Sequence, residues 1–152
     1  MYKPTYVYVT YIATTAENLW EALTNGEFTK KYFFHQEVES DWNEGSTITY
    51  RMKNDEIAVY GKVITYDPYR HLSFTWNVNG DDTIRESSTF VSFELMQMED
   101  TVKLTLKHHN LVETDYVENE DTFVGLNNGW PAVLSNLKSL LETGSTLPPI
   151  VG

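Results

Sequence analysis

No cysteine occurs in the 152 residues, so neither a disulfide framework nor a thiolate metal site is available. Basic residues are scarce: Lys and Arg total 11 against 22 Asp and Glu, a formal net charge of −11. Nucleic acid and anionic membrane surfaces are therefore disfavoured as partners, because both need clustered positive charge. No apolar run approaches the ~20 residues of a membrane-spanning helix, and MYKPTYVYVTYI lacks the basic and apolar regions of a secretory signal. A cytoplasmic protein is expected. There is no GxGxxG or other phosphate loop and no GxSxG elbow, and Ser87-Ser88 falls in a plain strand start. Neither a repeat nor a low-complexity tract interrupts the chain, which at this length is one domain able to bury a core without staples. Aromatic residues are what the chain has in quantity: 4 Trp, 10 Tyr and 7 Phe. They suit strands and core, and they leave room for an aromatic-lined pocket.

The strongest local pattern is Gly129 to Gly144, GWPAVLSNLKSLLETG. Trp130, Val133, Leu134, Leu137, Leu140 and Leu141 share one helical stripe, while Ser135, Ser139 and Glu142 face away. Asn128 is the expected cap, Pro131 is tolerable in the first turn, and Gly144 sits where a helix-ending glycine belongs. Such a helix is about 22 Å long at ~1.5 Å per residue. Burying its six large side chains is worth at most roughly 9–18 kcal/mol. A stripe of that size needs a broad apolar partner, and only a sheet made by the rest of the chain can supply one.

Thr5 to Ile12 is β-branched and aromatic and reads as a first strand. Thr14 and Glu17 suggest a capping box, and Ala16, Leu19, Trp20 and Leu23 supply one face of a helix that Asn25-Gly26 stops. A second short helix is expected over Glu27 to Phe33, ending in Tyr32, Phe33 and Phe34. From Glu37 to Asn110 the period is two, with strands near 37–42, 46–53, 56–66, 70–78, 86–98 and 101–109. Turn-like breaks separate them, as at Asn43-Glu44-Gly45 and Asp67-Pro68. Leu72, Phe74 and Trp76, then Val91, Phe93 and Leu95, then Val102, Leu104, Leu106 and His108, alternate with polar residues as in an antiparallel sheet wet on one side. Glu113 to Asp121 carries five acids and no base and reads as a solvated loop, with Phe123, Val124 and Leu126 as a short helical lead-in. The tail, 145–152, is expected to be irregular.

One strand, two small helices, six strands and a long last helix is the order of the helix-grip fold. The sequence resembles the START-like, or SRPBCC, superfamily, and within it the branch of activators of the ninety-kilodalton heat-shock protein ATPase. The resemblance rests on Ile12-Ala13, Asn18 to Thr24, Tyr32-Phe33-Phe34, Gly61-Lys62-Val63, Asp67-Pro68, Leu72 to Trp76, Val91 to Leu95, Leu104 to His108 and Gly129-Trp130-Pro131. It implies an α+β fold in which a curved antiparallel sheet of 6–7 strands wraps the C-terminal helix, a START-like domain over 1–144. It also implies an apolar cavity between sheet and helix. Phe74, Trp76, Phe93, Leu104, Leu106 and His108 would face that cavity from the strands, and Trp130, Leu134 and Leu137 from the helix. Phe33, Phe34 and Trp42 would guard its mouth, and a tyrosine such as Tyr50 would orient a polar group. Eukaryotic members of the branch add a separate N-terminal domain, and a chain of this length is expected to hold only the one.

The chemistry expected of these residues is binding. His108 and His109 are adjacent on a strand and point to opposite faces, so they cannot share an ion; His35 and Glu37 share a face but make only two ligands. No metal or cofactor is expected. His108, inward among leucines, suits either a ligand contact or general-base work, or else is satisfied by a backbone or tyrosine partner. A dry void of 300 Å³ would cost roughly 7 kcal/mol at ~24 cal/mol per Å³, comparable with a domain's whole stability, so a large cavity would argue for a guest. The expected function is non-enzymatic binding of a small hydrophobic or aromatic molecule, of the lipid or polyphenol class. The alternatives are a stress-related co-chaperone acting through its surface on a chaperone partner, and an enzyme of the polyketide-cyclase kind.

Overall fold

Residues 3–148 are described in a computed structural model of the chain. Residues 1–2 of the expected domain and 149–152 of the expected tail lie outside the described residues. Strand β1 (Tyr6–Ile12) is followed by α1 (Ala16–Thr24) and α2 (Gly26–Tyr32). Six strands come next: β2 (Glu37–Ser40), β3 (Thr47–Arg51), β4 (Ile57–Asp67), β5 (His71–Val78), β6 (Thr89–Met98) and β7 (Thr101–His109). A single 3₁₀ turn, Glu113–Asp115, precedes the long helix α3 (Leu126–Thr143). The seven strands form one sheet in the order β1-β7-β6-β5-β4-β3-β2, every neighbour antiparallel. Among the described residues no helix is long and apolar enough to cross a membrane.

The sheet bends where β4 meets its neighbours. The register slips between Val63 and Thr65 against β5, and between Tyr50 and Arg51 against β4. An extra residue on one strand of a pair increases local twist and turns the strand. Gly61 allows this, because a Cβ there would collide with the backbone oxygen of Thr75. The concave face carries the expected alternation: Phe74 lies opposite Val91, Phe93 opposite Leu106, and Leu95 opposite Leu104. All six are buried. The convex face is polar over most of its width, but on the edge strand β1 the outward Val7, Val9 and Tyr11 remain 51%, 43% and 49% exposed.

Helix α3 lies in the curve with Trp130, Val133, Leu134 and Leu137 buried, and Leu140 and Leu141 packed partly against the core. Polar contacts fix its position. Asn136, also buried, donates to the Tyr32 carbonyl (3.2 Å) and accepts from the Leu147 N–H (2.8 Å), which folds the start of the tail back along the helix. Glu142 accepts from the Ala13 N–H at 2.8 Å.

The ends of the helices differ from expectation. α3 begins at Leu126, with Gly125 as its cap residue at φ 91°, so Asn128 lies inside the first turn and Pro131 well past it. Glycine at 125 serves the left-handed backbone and the tight approach of Val117, whose side chain would stand 2.7 Å from a Cβ. Asn128 donates instead to the Asn119 and Val124 carbonyls, tying the acidic loop to the helix. Phe123 and Val124 are not helical. The C-terminal end is as expected, with Gly144 left-handed at φ 83°. At α1 the cap is Thr15, not Thr14: Thr15 has the extended backbone that precedes a helix, and its hydroxyl accepts from the Asn18 N–H at 3.1 Å. Thr15→Ala is expected to cost about 1 kcal/mol in denaturant unfolding, and Thr14→Ala much less. β2 stops at Ser40 because Trp42 turns out of the strand at φ 57°, and 86–88 are irregular rather than part of β6.

Candidate functional site

At one end of the sheet the wrap is incomplete. The N-terminal turns of α3, the end of β5, the start of β4 and the segment 81–88 surround a cavity of about 540 Å³ that opens to solvent. One wall is aromatic. Trp76 and Trp130 have ring centroids 5.3 Å apart, and Phe33 packs edge-on to Trp130 at 5.7 Å. Phe34 joins them because the chain leaves α2 through two consecutive left-handed residues, Phe34 at φ 47° and His35 at φ 62°. Such backbone is disfavoured for bulky side chains and is a form of strain often found at ligand sites.

The facing wall is polar and includes Asp81, Thr83, Arg85, Thr89 and Asp115. Arg85 donates to both carboxylate oxygens of Asp115 (2.7 and 2.5 Å) and, at 3.3 Å, to Asp81. Burial by itself would raise the Asp115 pKa, but hydrogen bonds from Arg85 and the Val112 N–H, with the guanidinium charge, hold it below its usual value. Asp81 is also held low, chiefly by hydrogen bonds from the Thr83 hydroxyl and N–H. Both carboxylates are therefore ionised at neutral pH.

His108 sits between the two walls. The Trp130 indole N–H donates to its Nδ1 at 3.1 Å, which fixes Nδ1 as the unprotonated nitrogen. Nε2–H then donates to the Thr89 hydroxyl (3.0 Å), and that hydroxyl donates to the Trp76 carbonyl (2.7 Å). Burial pushes the imidazole pKa down to about 4; Asp115 opposes this, while Arg85 and His109 add to it. The ring is neutral, with both nitrogens engaged. In this arrangement it offers no free lone pair with which to take a proton from a guest.

Of the residues singled out in the sequence, Phe33, Phe34, Trp76, His108 and Trp130 lie in the cavity wall. Tyr50, Phe74, Phe93, Leu104, Leu106, Leu134 and Leu137 are buried in the core, outside that wall. The reason is geometric: residues of α1, α2 and α3 pack in one core with the middle of the concave face, and the open cavity lies at its end. Trp42 stacks on Tyr66 at 5.9 Å instead of standing at the mouth. Arg85, Asp115, Asp81 and Thr89 were not singled out. Their only local signal is a base isolated in a turn-like stretch and acids in a run read as solvated, and the partners are 30 residues apart in sequence. Among the described residues, no group of three or more His, Cys, Asp or Glu is placed to hold a metal ion.

The size of the cavity does not by itself demand a guest. Empty and dry, 540 Å³ would cost roughly 13 kcal/mol at ~24 cal/mol per Å³. With a polar wall and a mouth open to solvent, water can fill it, and that cost does not arise. What argues for a ligand is the pairing of a mostly preformed aromatic wall with convergent polar groups.

The solution structure of the Aha1 dimer from Colwellia psychrerythraea is similar, with a TM-score of 0.71 at 24% identity over 92% of this chain and 97% of that one. A solution structure from Cytophaga hutchinsonii gives 0.67 at 25% identity, over 93% of this chain and 96% of that one. The crystal structure of an HSP90 activator from Plasmodium falciparum gives 0.70 at 17% identity, over 91% and 96%. These likenesses show the helix-grip fold. No curated protein matches the chain at a significant level. A family profile, that of the Activator of Hsp90 ATPase homolog 1-like proteins, matches residues 13–142, from the end of β1 almost to the end of α3. With nearly the whole domain inside that match, the chain belongs to the Activator of Hsp90 ATPase homolog 1-like family.

Proposed function

We propose that this domain binds a small molecule with an apolar or aromatic body, without converting it, in the cavity between the end of the sheet and the start of α3. The observation that carries this reading is the cavity of about 540 Å³, which lies within the size range of small-molecule sites and has an aromatic wall. Phe33, Phe34, Trp76 and Trp130 would stack on the body of the ligand. A carbonyl or hydroxyl on it would meet Thr89, Ser88 or Arg85 on the other side. His108 would hold Trp130 in place rather than act on the guest, and so the non-catalytic reading is preferred to the polyketide-cyclase kind. A screen of lipid and polyphenol compounds by thermal shift, followed by NMR, tests it. A bound class should raise the melting temperature and perturb Trp76 and Trp130 resonances. No response from any apolar or aromatic compound would end the reading.

The family supports a second reading, contact with a chaperone through the surface. One of the similar structures is itself described as an HSP90 activator. With a net charge of −11, such contact would involve the acidic surface and weaken with salt. A pull-down that recovers no chaperone even at low ionic strength would remove it.

A further inference from the structure

We propose that the ligand of this cavity is a cationic amine carrying an aromatic or alkyl body, and that carboxylates are selected against. This rests on the binding reading above and adds the charge of the ligand to it. The aromatic wall accepts many apolar bodies, so selectivity has to come from the polar side.

The charged groups in the wall are Asp81, Asp115 and Arg85, and His108 is neutral. Two carboxylates face one guanidinium, which leaves one negative charge uncompensated. Among the described residues Arg85 is the only cation in the wall, and three of its five N–H donors are engaged by Asp115 and Asp81. An incoming carboxylate would have to share that one guanidinium with two acids already bound to it, lying close to their charge. An ammonium meets the excess charge directly and keeps the Arg85 pairs intact.

Two further features point the same way. Trp76, Trp130, Phe33 and Phe34 line the other side, and an aromatic face, being electron-rich, attracts a cation and repels an anion. The net charge of the whole chain, −11, raises the local concentration of cations over anions around the mouth.

The test uses three probes with one ring system: 1-naphthylmethylamine, 1-naphthylmethanol and 1-naphthoate. Each is titrated into the full chain by calorimetry at neutral pH and low salt. The amine is expected to bind at least about tenfold more tightly than the carboxylate, with the alcohol between them. In Asp81→Asn the wall is electrically neutral, and the preference for amine over carboxylate should fall several-fold while the alcohol binds as before. Unchanged alcohol affinity shows that the variant cavity is intact. A carboxylate that binds as tightly as the amine overturns the proposal but leaves the cavity reading standing. So does an amine-to-carboxylate ratio in Asp81→Asn equal to that of the parent chain. Absence of binding by all three probes would overturn the cavity reading itself.

Discussion

Trp130→Ala is expected to remove about 3–5 kcal/mol of folding stability, the range for deleting a buried indole. Trp130 is 5% exposed and touches the rings of Phe33, Trp76 and Phe93. Its removal merges the space it fills with the open cavity beside it and exposes the rings it had covered, Phe33, Trp76 and Phe93, to the water that enters. It also strips the donor from Nδ1 of His108, leaving a buried acceptor unpaired. Trp130→Phe separates the two effects: most of the ring contacts survive and the N–H is lost. That variant should cost about 1–3 kcal/mol, the penalty of the orphaned nitrogen with some packing loss. Urea unfolding of the three proteins measures both. A loss below about 1 kcal/mol in Trp130→Ala would mean that the indole supports little of the packing around it.

Stability should also fall on mild acidification, before most carboxylates titrate. The unfolded chain protonates His108 near its ordinary value of 6.5, whereas the folded protein resists until about 4. Between those values the unfolded state binds more protons, so stability rises with pH across that window. The contribution is complete above about pH 6.5, declines as pH drops, and is gone below about 4. Its size is roughly 3 kcal/mol at 1.36 kcal/mol per unit. Protonating Nδ1 would set two donors, imidazolium and indole, against each other in a buried place, which gives the shift a local structural cause. His109 is also lowered by burial and adds a smaller effect of the same sign. Asp81, Asp115, Glu27 and Glu142 are held low by their hydrogen-bond partners, so their stabilisation is lost at lower pH still. Denaturant midpoints taken from pH 7 to pH 4 should therefore fall, and in His108→Gln, which can still accept from Trp130 and donate to Thr89, much of that fall should vanish. NMR titration of the His108 ring checks the cause: a midpoint near 6.5 would refute it.

The architecture was legible because its signals are periodic and local. The stripe from Trp130 to Leu137 and the alternation from Leu72 to His108 each need only a few neighbouring residues to be seen, and both became the core. Helix ends were less legible. The start of α3 depends on the left-handed Gly125 and on the asparagines that tie down the preceding loop, and nothing in the helical period encodes either. The site was half legible for a related reason. Trp76, His108 and Trp130 sit on periodic elements, so their shared face could be read. Arg85 lies on an irregular segment and Asp115 ends the short 3₁₀ turn, outside any strand or α-helix, and their pairing exists only once the sheet brings the end of β5, the start of β6 and the end of β7 together. Which inward residues border open space, and which lie under a helix, depends on how far α1 and α2 reach across the sheet. Leu104 and Leu106 have the same pattern as His108 two residues on, yet only His108 reaches the opening.

The placement of the indoles gives the protein a built-in optical gauge. Trp20 and Trp42 both rest on Tyr66, apart from the cavity, while Trp76 and Trp130 stand in its wall, one of them bonded to an imidazole. Two of the four tryptophans therefore stand where a guest in the proposed site would lie, and two stand in surroundings that it would not touch. Occupancy of the proposed site would alter the emission of the first pair against the background of the second, so loading would be read without an attached dye.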